Sequence, residues 1–355
     1  MANRTPKHAT IAIPQSTLPD GAPISGHSRV WTSVKSALEE LSVLDHTGAP
    51  GVWFYSAHGG PPEVDGRSVA VAYEAGWTVP GAYVGYPTSY LEAINDATRR
   101  GVLHGDAVVV GAESAKTEIL SAYGCSEDSV HVVPFGVDLD AFHPDKRGEL
   151  ASFPELQHLD GVPFIAFVNS LAPRKNVGIA RDAVHQLLSE GYPHRFVMVA
   201  SAAKHLGGDV DAIEREAFAQ FEGFEDRVIR LQGVSDQALA VMLANASVLC
   251  APSSHEGFGL TVLEAMASGT PVVAARRGAL PEVVGSGGVL VEPTVEEVTS
   301  GLRRILDGDL AQWRVAARTQ ALNFPWSRTA EGWAEVAKAV VESGRPKRRW
   351  FRRGS

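Results

Sequence analysis

The residue types best suited to chemistry lie between Glu256 and Glu264, where two carboxylates flank a short loop that contains two glycines. Glycine lets such a loop turn tightly and approach a ligand closely. From Leu260 onward the apolar spacing is that of a helix, and the N-terminus of a helix presents free N–H groups to anions. We therefore expect the amides of Gly259, Leu260 and Thr261 to hold a phosphate.

The two carboxylates restrict what can bind beside that phosphate. A carboxylate next to a phosphate repels it, so Glu256 and Glu264 are expected to face hydroxyl groups on either side of the phosphate. The hydroxyls of a sugar and of a ribose would fit. This stretch therefore predicts a site for a ligand with phosphate and sugar parts.

The surrounding pattern predicts the elements that position this loop. Residues 248–251 form an apolar run typical of a buried parallel strand, and turn residues follow it. Gly269 ends the helix, and residues 271–274 predict the next strand. In an open parallel sheet ligands bind at the carboxyl ends of the strands, which is where this loop is expected to lie.

A second loop carries a basic pair, Arg174 and Lys175. It follows the apolar run 163–168, which predicts a buried strand that opens a second domain. The pair is expected to face the same side as the glycine loop. Two cations there can neutralise a diphosphate and stabilise it as a leaving group.

The bulk composition is that of a soluble globular protein with room for two domains, with 355 residues, 45% of them hydrophobic and 21% charged. We find no run of about 18 apolar residues and no hydrophobic signal core at the N-terminus, so neither a membrane span nor a secretion signal is expected. Cys125 and Cys250 are too few for a disulfide framework. These features favour a cytoplasmic protein.

The charge is unevenly distributed along the chain. The net charge is −9, yet the final stretch RPKRRWFRR carries six positive charges, so the rest of the chain is strongly acidic. An acidic body argues against nucleic acid as a partner. The basic tail at 345–355 could contact an anionic membrane surface around Trp350 and Phe351, or it could be a solvated disordered end.

One segment carries a family resemblance. The sequence PSSHEGFGLTVLEAMASGTPVV, with GVSDQALAVMLANASVLCAPSS upstream and GALPEVVGSGGVLVEP downstream, resembles the retaining glycosyltransferases of family 4. The resemblance covers roughly residues 160 to 325. It implies an α/β protein of the GT-B fold, in which two Rossmann-like domains have parallel sheets that face an interdomain cleft.

The resemblance also implies the domain organisation. The acceptor domain would span residues 1–148, and the nucleotide-sugar donor domain would span 160–324. A terminal helix at about 325–343 would pack back on the first domain. The basic tail would follow at 345–355.

The family roles carry over to particular residues of the donor domain. Glu256 would meet the donor sugar near the reacting carbon, and Glu264 would bind the ribose. The loop amides would hold the diphosphate, and they belong to Gly257, Phe258, Gly259, Leu260 and Thr261.

The basic pair also has a family counterpart. Lys175 matches the family lysine, and Arg174 compensates for an earlier arginine whose place is taken by Asn169 or Ser170. The backbone near Val234 would contact the nucleobase.

The first domain follows the family pattern less closely. Its first loop lacks G-x-G-x-x-G, which disfavours a dinucleotide oxidoreductase. Gly26 in that loop is expected to approach the sugar or the acceptor, or it merely starts the helix. The family has a histidine that contacts the donor sugar, and His58, Tyr73 and Glu74 compete for its place here. Of these, His58 and Glu74 are the catalytic candidates.

These expectations together predict a retaining glycosyltransferase that moves a hexose from a nucleoside diphosphate sugar to an acceptor hydroxyl, in glycolipid, polysaccharide or glycoside biosynthesis. GDP-mannose is the first expected donor, and a UDP-sugar is the next. Because Lys175, Arg174 and helix amides would stabilise the leaving group, no metal or other cofactor is expected. Retention by front-face attack and retention through a covalent intermediate on Glu256 both stay open. The alternatives are a GT-B nucleotide-sugar epimerase and a catalytically weak nucleotide-sugar-binding scaffold.

Overall fold

The structure is a computed structural model that describes residues 9–14, 26–45, 51–201, 221 and 223–343. The basic tail at 345–355 lies outside these residues, so its membrane contact stays a prediction. None of the helices in the described ranges is both long and apolar enough to cross a membrane.

Helices join most of the successive strands in the described chain, and three successive helices follow the last strand. The strands are β1 Ile11–Ala12, β2 Val52–Ser56, β3 Arg67–Val71, β4 Ala107–Val110, β5 Val130–Val132, β6 Phe164–Ser170, β7 Arg195–Ser201, β8 Val228–Leu231, β9 Val248–Ala251, β10 Val272–Ala275 and β11 Gly288–Val291. The helices are α1 Gly26–Glu40, α2 Thr88–His104, α3 Glu113–Tyr123, α4 Val177–Ser189, α5 Asp236–Asn245, α6 Leu260–Ala267, α7 Leu280–Val284, α8 Val295–Leu306, α9 Leu310–Ala321 and α10 Trp326–Glu342.

The chain divides into two compact α/β units. The first contains the described parts of Met1–Ala75, Ala93–Pro134 and Trp326–Ser355, and the second contains Gly76–Glu92 and Phe135–Pro325. The terminal helix α10 thus belongs to the first unit. The segment Gly76–Glu92 belongs to the second unit although its chain neighbours belong to the first.

The first unit is built on a parallel sheet of β1 to β5 in chain order. Helix α10 packs in this unit through Trp333, which is fully buried. The Trp333 ring stacks on Phe54 of β2 at 4.9 Å and meets Trp31 of α1 edge-on at 5.4 Å. Aromatic burial of this kind is a large apolar contribution to stability.

The second unit is built on a parallel sheet with the strand order β11-β10-β9-β6-β7-β8. Strand β6 lies near the centre, and its residues 164–168 are a continuous apolar run because helices cover both faces of a parallel sheet. Phe167 of β6 and Phe196 of β7 lie in the core together with Leu302 of α8. The order of strands reverses between β6 and β9, and such a switch point is where open α/β sheets bind ligands.

Candidate functional site

The sheet of the second unit brings two loops of distant sequence to one place. Strand β6 pairs with β9 in parallel, with Ile165 opposite Val248. Because parallel strands end at the same edge, the loop after Ser170 and the loop after Ala251 emerge side by side. The first loop carries Arg174 and Lys175, and the second carries Glu256.

The Glu256 carboxylate accepts hydrogen bonds from three side chains. Lys175 Nζ donates to Oε1 at 2.5 Å, and Ser253 Oγ donates to the same oxygen at 2.7 Å. Arg174 Nη1 donates to Oε2 at 3.2 Å. The side chains are largely buried, with 10% of Lys175, 14% of Glu256 and 17% of Arg174 exposed. The acid and both cations are therefore held as one cluster.

The charge state of Glu256 follows from these neighbours. Burial alone would raise the pKa of Glu256, but the positive charges of Lys175 and Arg174, with the hydrogen bonds from Lys175 and Ser253, lower it to about 2. Glu256 is thus ionised throughout the neutral range. The cluster as a whole carries one net positive charge, from two cations and one carboxylate.

Further hydrogen bonds tie the two loops together. Asn176 Nδ2 donates to Pro252 O and to Ser254 Oγ, both at 2.8 Å. The Ser254 amide donates to Arg174 O at 2.7 Å, and Arg174 Nη1 donates to His255 O at 2.7 Å. Asn176 has a φ of +52°, a left-handed conformation that asparagine tolerates better than most residues. The geometry around the cations is therefore fixed by backbone as well as by side chains.

Sequence reasoning missed two residues of this cluster, Asn176 and Ser253. Asn176 directly follows the basic pair, and its tolerance of left-handed backbone was the signal that could have singled it out. From its position in the sequence, Ser253 is predicted only to be a turn residue. Its hydroxyl lies three positions before Glu256, close enough to reach the carboxylate across the turn.

The glycine loop leads directly into α6, as predicted. Gly259 has a φ of +98° and precedes Leu260, the first residue of the helix. The first amides of a helix have no intrahelical acceptor, so those at Leu260 and Thr261 are placed to meet an anion. Glu264 lies one turn further along and is buried.

Two further predicted residues, Phe258 and Val234, differ in their burial and in their surroundings. The Phe258 ring is buried, 5.2 Å from Phe135 and 6.1 Å from Phe324, so its side chain belongs to the core and only its backbone is available to a ligand. Val234 is half-buried between β8 and α5. Helix α5 begins just after it, where Ser235 Oγ accepts from the Ala238 amide.

The predicted residues of the first unit lie at its strand ends. His58 follows β2, and both ring nitrogens are engaged: Nε2 accepts from the Tyr73 amide at 3.0 Å, and Nδ1 is 2.9 Å from Thr98 Oγ1. The ring also stacks on Tyr73 at 5.1 Å. Glu74 is buried beyond the end of β3, and Gly26 is the first residue of α1. His58 is therefore held by hydrogen bonds and ring stacking within the first unit.

The arrangement in the second unit suits an anionic ligand with hydroxyl groups. Two cations and the amino end of α6 lie at the switch point of the sheet, where they can neutralise a diphosphate. Fixed positive groups of this kind also stabilise negative charge that develops on a leaving group.

Comparison with known proteins gives both family and named relatives. Residues 150–321 match the family described as glycosyl transferases group 1. The chain is 36% identical over 244 residues to MMP alpha-(1->4)-mannosyltransferase of Mycolicibacterium hassiacum, an alignment that covers 66% of this chain and 54% of that protein. It is 32% identical over 244 residues to D-inositol 3-phosphate glycosyltransferase of Xylanimonas cellulosilytica, covering 66% and 57%. The chain spans little more than half the length of these relatives.

Solved structures resemble the chain over nearly its whole length. Sucrose-phosphate synthase from Thermosynechococcus elongatus is 18% identical, with a TM-score of 0.68, and the match covers 94% of this chain and 89% of that one. HepE from Anabaena, solved in complex with UDP-glucose, is 16% identical with a TM-score of 0.69, and the match covers 94% and 100%. At these identities the likeness is one of fold.

Proposed function

Residues 150–321 form a domain of the family glycosyl transferases group 1, and from that premise we propose that this chain transfers a hexose, with retention, from a nucleoside diphosphate sugar to an acceptor hydroxyl. The fold is the GT-B fold predicted from the sequence. The observation that carries the proposal is the cluster of Arg174, Lys175 and Glu256 beside the amino end of α6. It combines groups for a diphosphate with a carboxylate for sugar hydroxyls.

One sequence relative and one solved structure of similar fold suggest the donor. A relative is named as a mannosyltransferase, which supports GDP-mannose as the first donor to test. The Anabaena protein HepE was solved with UDP-glucose, which supports UDP-glucose as the second. The nucleobase would lie near Val234, where backbone rather than side chains would contact it.

Leaving-group stabilisation is the main catalytic contribution that we assign to the second unit. As the bond between the anomeric carbon and the phosphate oxygen breaks, its electron pair moves to the diphosphate. Lys175, Arg174 and the amides of Gly257 to Thr261 would stabilise that negative charge in a partly water-excluded site. Because the chain itself would supply this chemistry, the proposed reaction needs no metal.

The hydrogen bonds of Glu256 favour one of the two routes to retention. Both carboxylate oxygens accept hydrogen bonds, three in all, and two of the donors are cations. Charge-assisted bonds of this strength make the oxygen lone pairs less available to attack carbon. We therefore favour front-face attack, in which the acceptor oxygen bonds to the anomeric carbon and its proton passes to the departing phosphate. Glu256 then acts through its charge and its contact with the sugar.

A thermal-shift screen of nucleotide sugars tests the proposal. A donor present at a hundred times its dissociation constant should stabilise the protein by about 2.7 kcal/mol. The donor that stabilises is then incubated with a panel of sugar, lipid and glycoside acceptors, and release of the nucleoside diphosphate is measured. Absence of any stabilising nucleotide sugar would overturn the proposal.

The same experiment separates the alternatives. An epimerase would change the sugar configuration of the donor when no acceptor is present. A scaffold would bind the donor and release no nucleoside diphosphate with any acceptor. Both ring nitrogens of His58 are hydrogen-bonded within the first unit, and this observation is the reason to retain the scaffold as an alternative.

A further inference from the structure

The segment Gly76–Glu92 carries a group of aromatic side chains into the second unit. In sequence it follows β3 of the first unit and includes the first residues of α2, Thr88 to Glu92, yet it belongs to the same compact unit as the residues proposed to bind the donor. Its aromatic residues are Trp77, Tyr83, Tyr86 and Tyr90. Nothing in the proposed function uses them.

Tyr83 lies at the centre of this group. Its ring centroid is 4.8 Å from that of Tyr86 and 6.1 Å from that of Trp77. The same ring is 5.9 Å from His255, and the Arg174 guanidinium carbon is 5.5 Å from its centroid. Tyr83 therefore joins the aromatic segment to the cation cluster.

The segment also packs closely on the two loops that carry the cluster. Gly76 lies against His255, and a Cβ at position 76 would come within 2.5 Å of the His255 ring. Gly85 lies against Pro173, the residue before Arg174, where an added Cβ would be 3.1 Å away. The segment therefore packs against both loops. The two contacts are made by Gly76, which precedes Tyr83 in sequence, and by Gly85, which follows it, so the backbone that carries Tyr83 is held at both ends.

Contacts with His255, Glu256 and Tyr83 help to fix Arg174. Its Nη1 donates to His255 O and to the Glu256 carboxylate, and its planar cation lies over the Tyr83 ring. A guanidinium stacks on an aromatic face and keeps its N–H groups available at its edge. Tyr83 can therefore orient the cation through the face of the guanidinium, without using its N–H groups.

We propose that Tyr83 is a positioning residue that holds the Arg174 guanidinium where it meets the diphosphate of the donor. The inference rests on the proposed function, because it needs a diphosphate at the cluster. Tyr83 does not touch the reacting atoms and acts through Arg174. Tyr83 lies outside residues 160–325, which carry the family resemblance. Through Arg174 it would nevertheless raise the affinity for the nucleoside diphosphate.

The test compares Tyr83→Leu, Tyr83→Phe and the wild type by calorimetric titration with UDP and with GDP. Tyr83→Leu should weaken binding of the preferred diphosphate about three- to thirty-fold, the range expected for a cation–π contact between exposed and desolvated sites. Tyr83→Phe keeps the ring and should restore wild-type affinity. The matched control is Tyr90→Leu, which removes another half-buried ring of the same segment whose aromatic neighbour is Tyr86 and which should bind as the wild type does.

A double-mutant cycle shows whether Tyr83 acts through Arg174. In an Arg174→Met background the Tyr83→Leu change should have no further effect on diphosphate affinity, because the cation that it positions is gone. A purely structural role of Tyr83 would weaken binding equally in both backgrounds. If Tyr83→Leu does not fold, Tyr83→Met takes its place in the cycle.

The outcomes separate this inference from the proposed function. A wild type that binds UDP or GDP, together with a Tyr83→Leu variant that binds equally well, overturns the inference alone. An equal loss in the presence and absence of Arg174 overturns it as well. A wild type that binds neither diphosphate overturns the proposed donor site and the inference with it.

Discussion

At the scale of the residue, Glu256 has two opposing effects on donor binding and turnover. It holds Arg174 and Lys175 in place, yet its negative charge lies beside the position proposed for the diphosphate. Replacing it by glutamine removes the repulsion together with the charge that organises the cations. Binding and turnover should therefore respond differently to the same substitution.

We predict that Glu256→Gln lowers kcat about 10²- to 10³-fold, the loss typical of removing one electrostatic group from an active site. Its affinity for the nucleoside diphosphate should be unchanged or higher, because a negative charge next to the phosphates is gone. Steady-state kinetics and titration with UDP or GDP check both parts. Glu335→Gln, at an exposed position of α10, is the control. Full turnover in Glu256→Gln would remove Glu256 from the mechanism.

The pH dependence of stability provides a second prediction for the same carboxyl. The folded pKa of Glu256 is about 2, below its ordinary value of 4.5, so the ionised form stabilises the fold above pH 4.5. This stabilisation is lost as the pH falls from 4.5 towards 2. The difference in melting temperature between the wild type and Glu256→Gln should shrink over that window. A difference that is constant across it would contradict the charge state assigned to Glu256.

At the scale of the element, the turn into α4 joins the loops that follow β6 and β9. Asn176 makes that connection through two side-chain hydrogen bonds and a left-handed backbone. Glycine at this position would keep the backbone conformation and lose only the hydrogen bonds. Alanine would lose the hydrogen bonds and would also disfavour the left-handed backbone conformation.

We predict that Asn176→Gly destabilises the protein by about 1–3 kcal/mol, since it leaves the carbonyl of buried Pro252 and the hydroxyl of half-buried Ser254 less satisfied. Asn176→Ala should cost roughly 1–2 kcal/mol more because of its left-handed backbone. Denaturant unfolding of both variants measures the two losses. An alanine variant more stable than the glycine variant would show that the left-handed turn is not retained in solution.

Helix α10 offers an independent test at the same scale. Trp333 is fully buried and packs on Phe54 and Trp31. Trp333→Ala should lower the free energy of unfolding by about 3–5 kcal/mol, as expected for truncating a large core aromatic. Trp326→Ala at the first turn of the same helix, where the residue is only half-buried, should cost less. Equal losses in the two variants would contradict the packing described for α10.

At the scale of the whole molecule, the sequence predicted the alternation of strands and helices and the GT-B fold. It also predicted that Lys175 and Glu256 lie together, because both follow buried parallel strands and so lie at strand ends. It did not predict that Gly76–Glu92 belongs to the second unit, since the chain on either side of this segment belongs to the first. Nor did it predict the hydrogen bonds of His58 to Tyr73 and Thr98, because pairing across a fold depends on three-dimensional proximity that spacing along the chain does not encode.

The placement of Gly76–Glu92 leads to a prediction about the whole chain. If a nucleoside diphosphate binds at the cation cluster, hydrogen exchange should slow in the loops at 173–176 and 253–261. It should also slow in Gly76–Glu92, which is distant from both loops in sequence but packs on them through Tyr83 and two glycines. Mass spectrometry with saturating UDP or GDP measures the three regions at once. In a Lys175→Ala variant the protection of all three should fall together, whereas protection of the two loops without Gly76–Glu92 would show that the aromatic segment is not coupled to the donor.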